Sequence, residues 1–235
     1  MATRGNSNQI IVGAAQLFVS QPSQGSLEYN STADVYAFNS GSVSGYPSIS
    51  ASGAYADKLE ADSARWRNVG YTMNGLEVQF QPDFGEVQVD QLLDVAKLYK
   101  QGMQVSMVTA FAEGTLENLL LSIAGAEGDY DDSNATFNSA GRQLTGETEL
   151  NLSAGELGAV PVERALIAVG PGSGDPAATG NAKVERVYVG NRVLSIENVT
   201  VSAKRDTPSM YEVTFRLLPA SNGSYGKIVD RVVGN

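Results

Sequence analysis

The sequence predicts a single mainly-β domain: a sandwich or barrel-like subunit with one short helix at about 115–124, long loops, and strands free to join neighbouring subunits. Three observations lead there. Apolar and polar residues alternate with period two in several separate runs. The connections between those runs are rich in Gly, Ser, Asn and Pro. A single run carries apolar residues at helical spacing. With 235 residues, 42% of them hydrophobic, the chain can bury a sizeable core.

The N-terminal arm 1–9 is polar and carries no cleavable signal pattern. Ile10 to Val19 then reads as a first strand ending at the turn cluster Gln21-Pro22-Ser23-Gln24-Gly25. From 20 to 64, Ser, Gly, Ala and Tyr dominate with little periodicity, so this segment is expected to be a long surface loop, or an arm that orders against a neighbour. Trp66 opens a sharper pattern. Asn74-Gly75 signals a type I′ hairpin turn, and Leu76, Val78 and Phe80 then alternate with Glu77, Gln79 and Gln81. Val87 and Val89 alternate with Glu86, Gln88 and Asp90. Met103, Val105, Met107, Thr109 and Phe111 form one face of a further strand. The helix carries Leu116, Leu119, Leu120 and Ile123, with Gly114 or Thr115 as N-cap and Gly125 placed to close its C-terminus.

The region 126–163 is acidic: Glu127, Asp129, Asp131, Asp132, Glu147, Glu149, Glu156 and Glu163 face only Arg142, whereas from Arg164 onward Lys and Arg outnumber Asp and Glu. Such an asymmetry suits head-to-tail contact between copies and equally suits solvated loops. Strands are expected at Ala165–Val169, at Val187–Val189 and Arg192–Ser195 flanking a second hairpin at Gly190-Asn191, at Val199–Ala203, and at Tyr211–Leu217. The predicted core therefore includes Leu76, Val78, Phe80, Val105, Met107, Phe111, Leu116, Leu119, Leu120, Ile123, Val213 and Phe215. No domain-sized repeat divides the chain, so 1–235 reads as one domain, with the arm 1–9, the loop or arm 20–64, a core motif 66–125 and the acidic loops 126–163.

Catalytic inventory is sparse. The chain has no cysteine and no histidine, which removes thiolate chemistry, the commonest general base and the usual zinc ligands. Gly170-Pro171-Gly172-Ser173-Gly174 is glycine-rich but lacks the Lys-Ser/Thr and the following helix of a phosphate-binding loop. Asp129, Asp131, Asp132 and Asn134 begin like a calcium loop, yet the sixth and twelfth places hold Asn134 and Ala140 instead of Gly and Glu. Glu113 lies before the helix start, so it does not pair with Glu117 as a glycosidase dyad would. Asn30-Ser31-Thr32 and Asn198-Val199-Thr200 match the glycosylation acceptor but carry no weight without a secretory signal. The net charge of -10 opposes a surface that grips nucleic acid. No run of apolar residues is long enough to span a bilayer. The expectation is a soluble, non-enzymatic protein without cofactor or metal, made in a cytoplasm.

Several stretches resemble the major tail proteins of long-tailed bacteriophages, particularly those of actinobacteria. They are Trp66-Arg67-Asn68-Val69-Gly70-Tyr71-Thr72, Gly75-Leu76-Glu77-Val78, Glu86-Val87-Gln88-Val89-Asp90-Gln91-Leu92-Leu93-Asp94 and Ala112-Glu113-Gly114-Thr115-Leu116-Glu117-Asn118-Leu119, with a weaker echo in Val12 to Val19. The resemblance implies a tail tube subunit, made in the bacterial host cytoplasm and resident in the virion tail. Such subunits form six-membered rings that stack into a conduit for DNA, and they meet tape measure, tail terminator and distal tail proteins. Within that expectation, the polar residues Glu77 and Gln79, or else Glu86, Gln88 and Asp90, are candidates for the lumen wall, where carboxylates would hold the DNA backbone off. Capsid decoration or another virion role is the alternative, and a carbohydrate-binding sandwich a more distant one.

Overall fold

A computed structural model describes residues 13–39, 41–88, 95–125, 129–137, 143–152, 161–173, 183–201, 205 and 209–233. Its centre is an eight-stranded antiparallel sheet in the order β4-β1-β11-β12-β13-β6-β5, with β14 paired to β12 off this path. The strands are β1 (Gln16–Ser20), β4 (Trp66–Asn68), β5 (Thr72–Gln88), β6 (Val95–Phe111), β11 (Arg164–Pro171), β12 (Lys183–Ser195), β13 (Tyr211–Leu218) and β14 (Gly226–Val233). Short two-stranded ladders join β2 (Leu27–Asn30) to β3 (Val35–Phe38), β7 (Tyr130–Asp131) to β10 (Glu149–Leu150), and β8 (Thr136–Phe137) to β9 (Gln143–Thr145). The fold is mainly β, as the alternation predicts. Among the described residues no helix is long and apolar enough to cross a membrane.

Strand alternation divides the interior into two cores. Leu17, Val19, Leu166 and Ala168 of β1 and β11 share one core with Met107, Phe111, Val213 and Phe215 of β6 and β13, although β12 separates them in strand order. The sheet is therefore rolled onto itself. Phe18, Ala165, Ile167 and Val169 point to the opposite face and form a second core with Val187, Val189 and Trp66. Burial on both faces explains why β11 reads as a continuous apolar run.

The second core is completed by the segment expected to be a loop or an intermolecular arm. Within 20–64 the β2–β3 hairpin and a helix, α1 (Tyr55–Ala61), pack on the chain's own sheet through Leu27, Tyr46, Tyr55 and Leu59. This corrects the expectation of a single helix. Its apolar residues come singly among Ser and Gly, so they show no period; the sheet face supplies the rest of the core. Arg231 of β14 pins the segment by donating to the carbonyls of Ala51 and Gly53, and it pairs with Glu185, whose Oε2 also accepts from Tyr55 N at 3.1 Å.

Both expected Asn/Gly hairpin turns are bulges inside longer strands. Asn74 and Gly75 do take positive φ, 65° and 73°, but the chain continues: Met73 pairs with Ala110 and Glu77 with Val108, so two extra residues bulge from β5. Thr109 Oγ1 donates to Gly75 O at 3.0 Å and fixes that bulge. Gly190-Asn191 sits where β12 changes partner, pairing with β14 up to Gly190 and with β13 from Arg192, and Asn191 N donates to Tyr225 O. Val199 to Val201 do not form a strand, Ala203 lies outside the described residues, and Gly170 and Pro171 end β11 rather than opening a loop.

The helix of the core motif, α2 (Leu116–Ser122), begins at Thr115, whose Oγ1 accepts from Asn118 N at 3.2 Å. At its other end Gly125 N reaches Leu120 O, but the left-handed residue is Ala124, with φ 53°. Of the predicted core, Val105, Met107, Phe111, Leu120, Val213 and Phe215 are buried. Leu76, Val78 and Leu119 are partly covered against the first core, and Leu116 is half-buried. Two residues depart from the prediction. Ile123 is 42% exposed because α2 docks through Asn118, Leu120 and Leu121, and Ile123 lies past its last turn. Phe80 is 52% exposed because β5 is the outermost strand of the sheet and runs on past the core.

Candidate assembly surface

The alternating runs at 76–81 and 103–111 belong to one long hairpin. β5 and β6 each span 17 residues, and their register continues from Thr72↔Phe111 to Gln88↔Val95. β13 pairs with β6 only from Ser106 to Phe111. Beyond Ser106, among the described residues, no third strand pairs with either of them. Val105 and Met103 still pack on the core, so the projecting arm runs from Asp83↔Gly102 to Gln88↔Val95, roughly 17 Å along β5 at ~3.4 Å per residue.

Directly paired residues on an antiparallel ladder project to the same side. The pairs Val78↔Met107, Phe80↔Val105, Pro82↔Met103, Phe84↔Lys100 and Glu86↔Leu98 make one face; Glu77↔Val108, Gln79↔Ser106, Gln81↔Gln104 and Asp83↔Gly102 make the other. The first face leaves the core through Phe80 and is uncovered outside it, where Phe84, 54% exposed, and Leu98, 59% exposed, alternate with the charged partners Lys100 and Glu86. The second is polar along β5 from Glu77 to Asp83, where Gln79 Nε2 donates to Glu77 Oε1 at 2.9 Å, and further out it carries exposed Tyr99 and Val87 through the pairs Gly85↔Tyr99 and Val87↔Lys97.

The candidate lumen residues therefore divide. Glu77 and Gln79 are exposed on the polar face, whereas Glu86 is exposed on the apolar face, so a single wall cannot present both carboxylates. Gln88 ends β5, its side chain outside the described residues, as is Asp90.

At the root of the arm the apolar row enters a groove of about 400 Å³ between the hairpin and the β13–β14 turn, lined by Val78, Phe80, Met103, Leu217, Tyr225 and Ile228 among others. Tyr225 Oη donates to Met103 O at 2.6 Å and ties the turn to the hairpin. This wall is preformed. Sequence reading missed it because the groove joins residues more than a hundred positions apart.

Beneath the arm, two of the stretches that carry the family resemblance meet in one buried polar knot. Asn118, fully buried, donates through Nδ2 to Val69 O at 2.9 Å and Glu113 O at 3.1 Å, and its Oδ1 accepts from Arg67 NH1 at 2.9 Å. Glu117 lies 3.4 Å from Arg67, and Glu113 Oε1 accepts from Tyr71 N. Burial lowers the pKa of the Arg67 guanidinium, and the charge of Glu117 opposes that shift. Asn118 gave no sequence signal, since a helical Asn ordinarily reads as solvent-facing.

The remaining candidates do not converge on chemistry. Trp66 is buried, its ring tilted 53° to that of Phe38 and its Nε1 donating to Gly45 O, and offers no platform to a sugar. Asp131 Oδ1 accepts from Ser133 N within its own turn, and among the described residues no three acidic side chains gather as a metal site. No family model and no curated protein matches this sequence.

Proposed function

We propose that this chain is a self-assembling structural subunit rather than an enzyme, and specifically the tail tube subunit of a long-tailed bacteriophage. Six copies form a ring, rings stack into the conduit for DNA, and the tube meets tape measure, terminator and distal tail proteins in the virion. The observation that carries the reading is the β5–β6 arm, which holds Phe80, Phe84 and Leu98 in water on one face of a strand pair that leaves the core. An exposed row of this kind is an aggregation hazard for a monomer and an asset for a subunit whose copies cover it. The tail identity within that class rests on the sequence resemblance in 66–125. An acidic chain suits a lumen that repels phosphate.

Electron microscopy and sedimentation of the purified chain over a concentration series test it. Rings or tubes of uniform diameter are expected. A chain that stays monomeric at millimolar concentration, with tail-assembly factors supplied, would refute the reading.

A further inference from the structure

We propose that Asn74 is a site of spontaneous covalent modification, where the side-chain amide is lost through a cyclic imide and the chain comes to carry aspartate and isoaspartate. This goes beyond the assembly reading and does not depend on it. Asn-Gly is the pair that cyclises most readily, because glycine puts no side chain in the way of the attacking amide. The sequence holds two such pairs, Asn74-Gly75 and Asn222-Gly223. The structure separates them.

Asn222 is held in a closed turn. Its Nδ2 donates to Tyr36 Oη at 2.8 Å, its Oδ1 accepts from Ser224 N at 3.1 Å, and the Gly223 N that would attack donates to Ala220 O at 2.8 Å. Asn74 is exposed, and its side chain makes no hydrogen bond among the described residues. Residues 74–76 stand opposite the single residue Thr109, so the peptide between Asn74 and Gly75 can turn without parting a ladder pair. Nothing lies within 4 Å of where a Cβ would stand on Gly75. A left-handed residue, as the φ of 65° makes Asn74, holds the next amide N away from its own side chain, so turning that peptide is the step that precedes attack. The bond from Thr109 Oγ1 to Gly75 O resists the turn.

In the reaction Gly75 N bonds to Asn74 Cγ as the Cγ–Nδ2 bond breaks, and Nδ2 leaves as ammonia with the Gly75 amide proton. Water then opens the imide. Hydrolysis at Cγ gives aspartate; hydrolysis at the main-chain carbonyl leaves Gly75 joined through Cγ, which is isoaspartate and lengthens the main chain by one atom. The bulge takes up that atom, and the ladder from Glu77↔Val108 outward is kept.

The test is incubation of the purified, folded chain in mildly alkaline buffer, followed by peptide mapping with mass spectrometry and labelling with isoaspartyl methyltransferase. Asn74 should convert about tenfold or more faster than Asn222, whose hydrogen bonds must break first. In urea the two pairs should convert at similar rates. Asn74→Gln should abolish the early methyl labelling and leave the circular dichroism melt unchanged. Thr109→Val, which releases Gly75 O, should speed conversion of Asn74 and not of Asn222. Conversion of Asn222 first, or of both at one rate in the folded chain, would overturn the assignment, as would an Asn74 that stays intact while the urea sample converts. An unchanged rate in a folded Thr109→Val variant would overturn opening of the bulge as the limiting step.

Discussion

Replacing Asn118 with Ala tests whether the buried knot organises the core motif. The substitution removes three hydrogen bonds and leaves the carbonyls of Val69 and Glu113 and one Arg67 N–H without their partner, around a side chain that is itself fully buried. An unsatisfied buried polar group costs about 1–3 kcal/mol. Arg67 keeps Glu117 at 3.4 Å, so its share is the smaller one. The expected loss is about 4 kcal/mol, which for a domain of this size lowers Tm by roughly 8–16 °C. Asn118→Asp should be no milder, because a carboxylate cannot donate and would face two carbonyl oxygens. Trp66 is the only tryptophan, is buried in β4 beside the knot, and reports urea unfolding directly. The denaturant slope should stay unchanged while the midpoint falls. A Tm drop under about 3 °C would refute the reasoning and mean that the knot repacks at little expense.

Three further outcomes follow from single features. Ala124→Gly should stabilise the chain by about 1 kcal/mol, read as a higher urea midpoint, because Ala124 holds φ 53° at the end of α2. Tyr55 is buried, and desolvation first, then Tyr46, raises its pKa above the ordinary phenol value; the folded state therefore keeps that proton, and the stability it contributes is complete below about pH 10 and declines as pH rises past it. Tyr55→Phe should flatten that alkaline loss in melts taken across pH 9–11, even though it gives up the bond from Tyr55 Oη to Pro47 O. In assembled particles, Glu77→Lys should slow DNA ejection at low salt with partial rescue at high salt, whereas Glu86→Lys should act on assembly, since the two carboxylates lie on opposite faces of β5; normal ejection by tubes carrying Lys at 77 would remove that face from the lumen.

What could be read from the chain was whatever repeats locally. The alternation in 76–80, 103–111 and 211–217 locates three strands because the larger apolar side chains of each line the first core while smaller or polar ones alternate with them. The Asn74-Gly75 signal was right about backbone and wrong about path. Positive φ is equally at home in a turn and in a bulge, and only the partner strand decides between them. Segment 20–64 was misjudged for a related reason: its own residues show no period, and the face that holds them is assembled from β1, β11 and β12. On the β5–β6 hairpin, the alternation of Phe80 is legible but its exposure is not, since exposure depends on β5 being the last strand. Asn118 was invisible because its three partners come from 67, 69 and 113.

The length of the β5–β6 ladder also has a mechanical meaning. Hydrogen bonds between antiparallel strands lie perpendicular to the strands. A pull on the outer end of the arm runs down both covalent strands to its root, where the β6–β13 bonds between Ser106 and Phe111 take it together in shear rather than one after another. The bulges at 74–76, at Gln101 and at Ala96 interrupt the ladder and are the points where it can yield without parting. In the proposed tube, an arm so built would let the wall flex while the contact between copies holds.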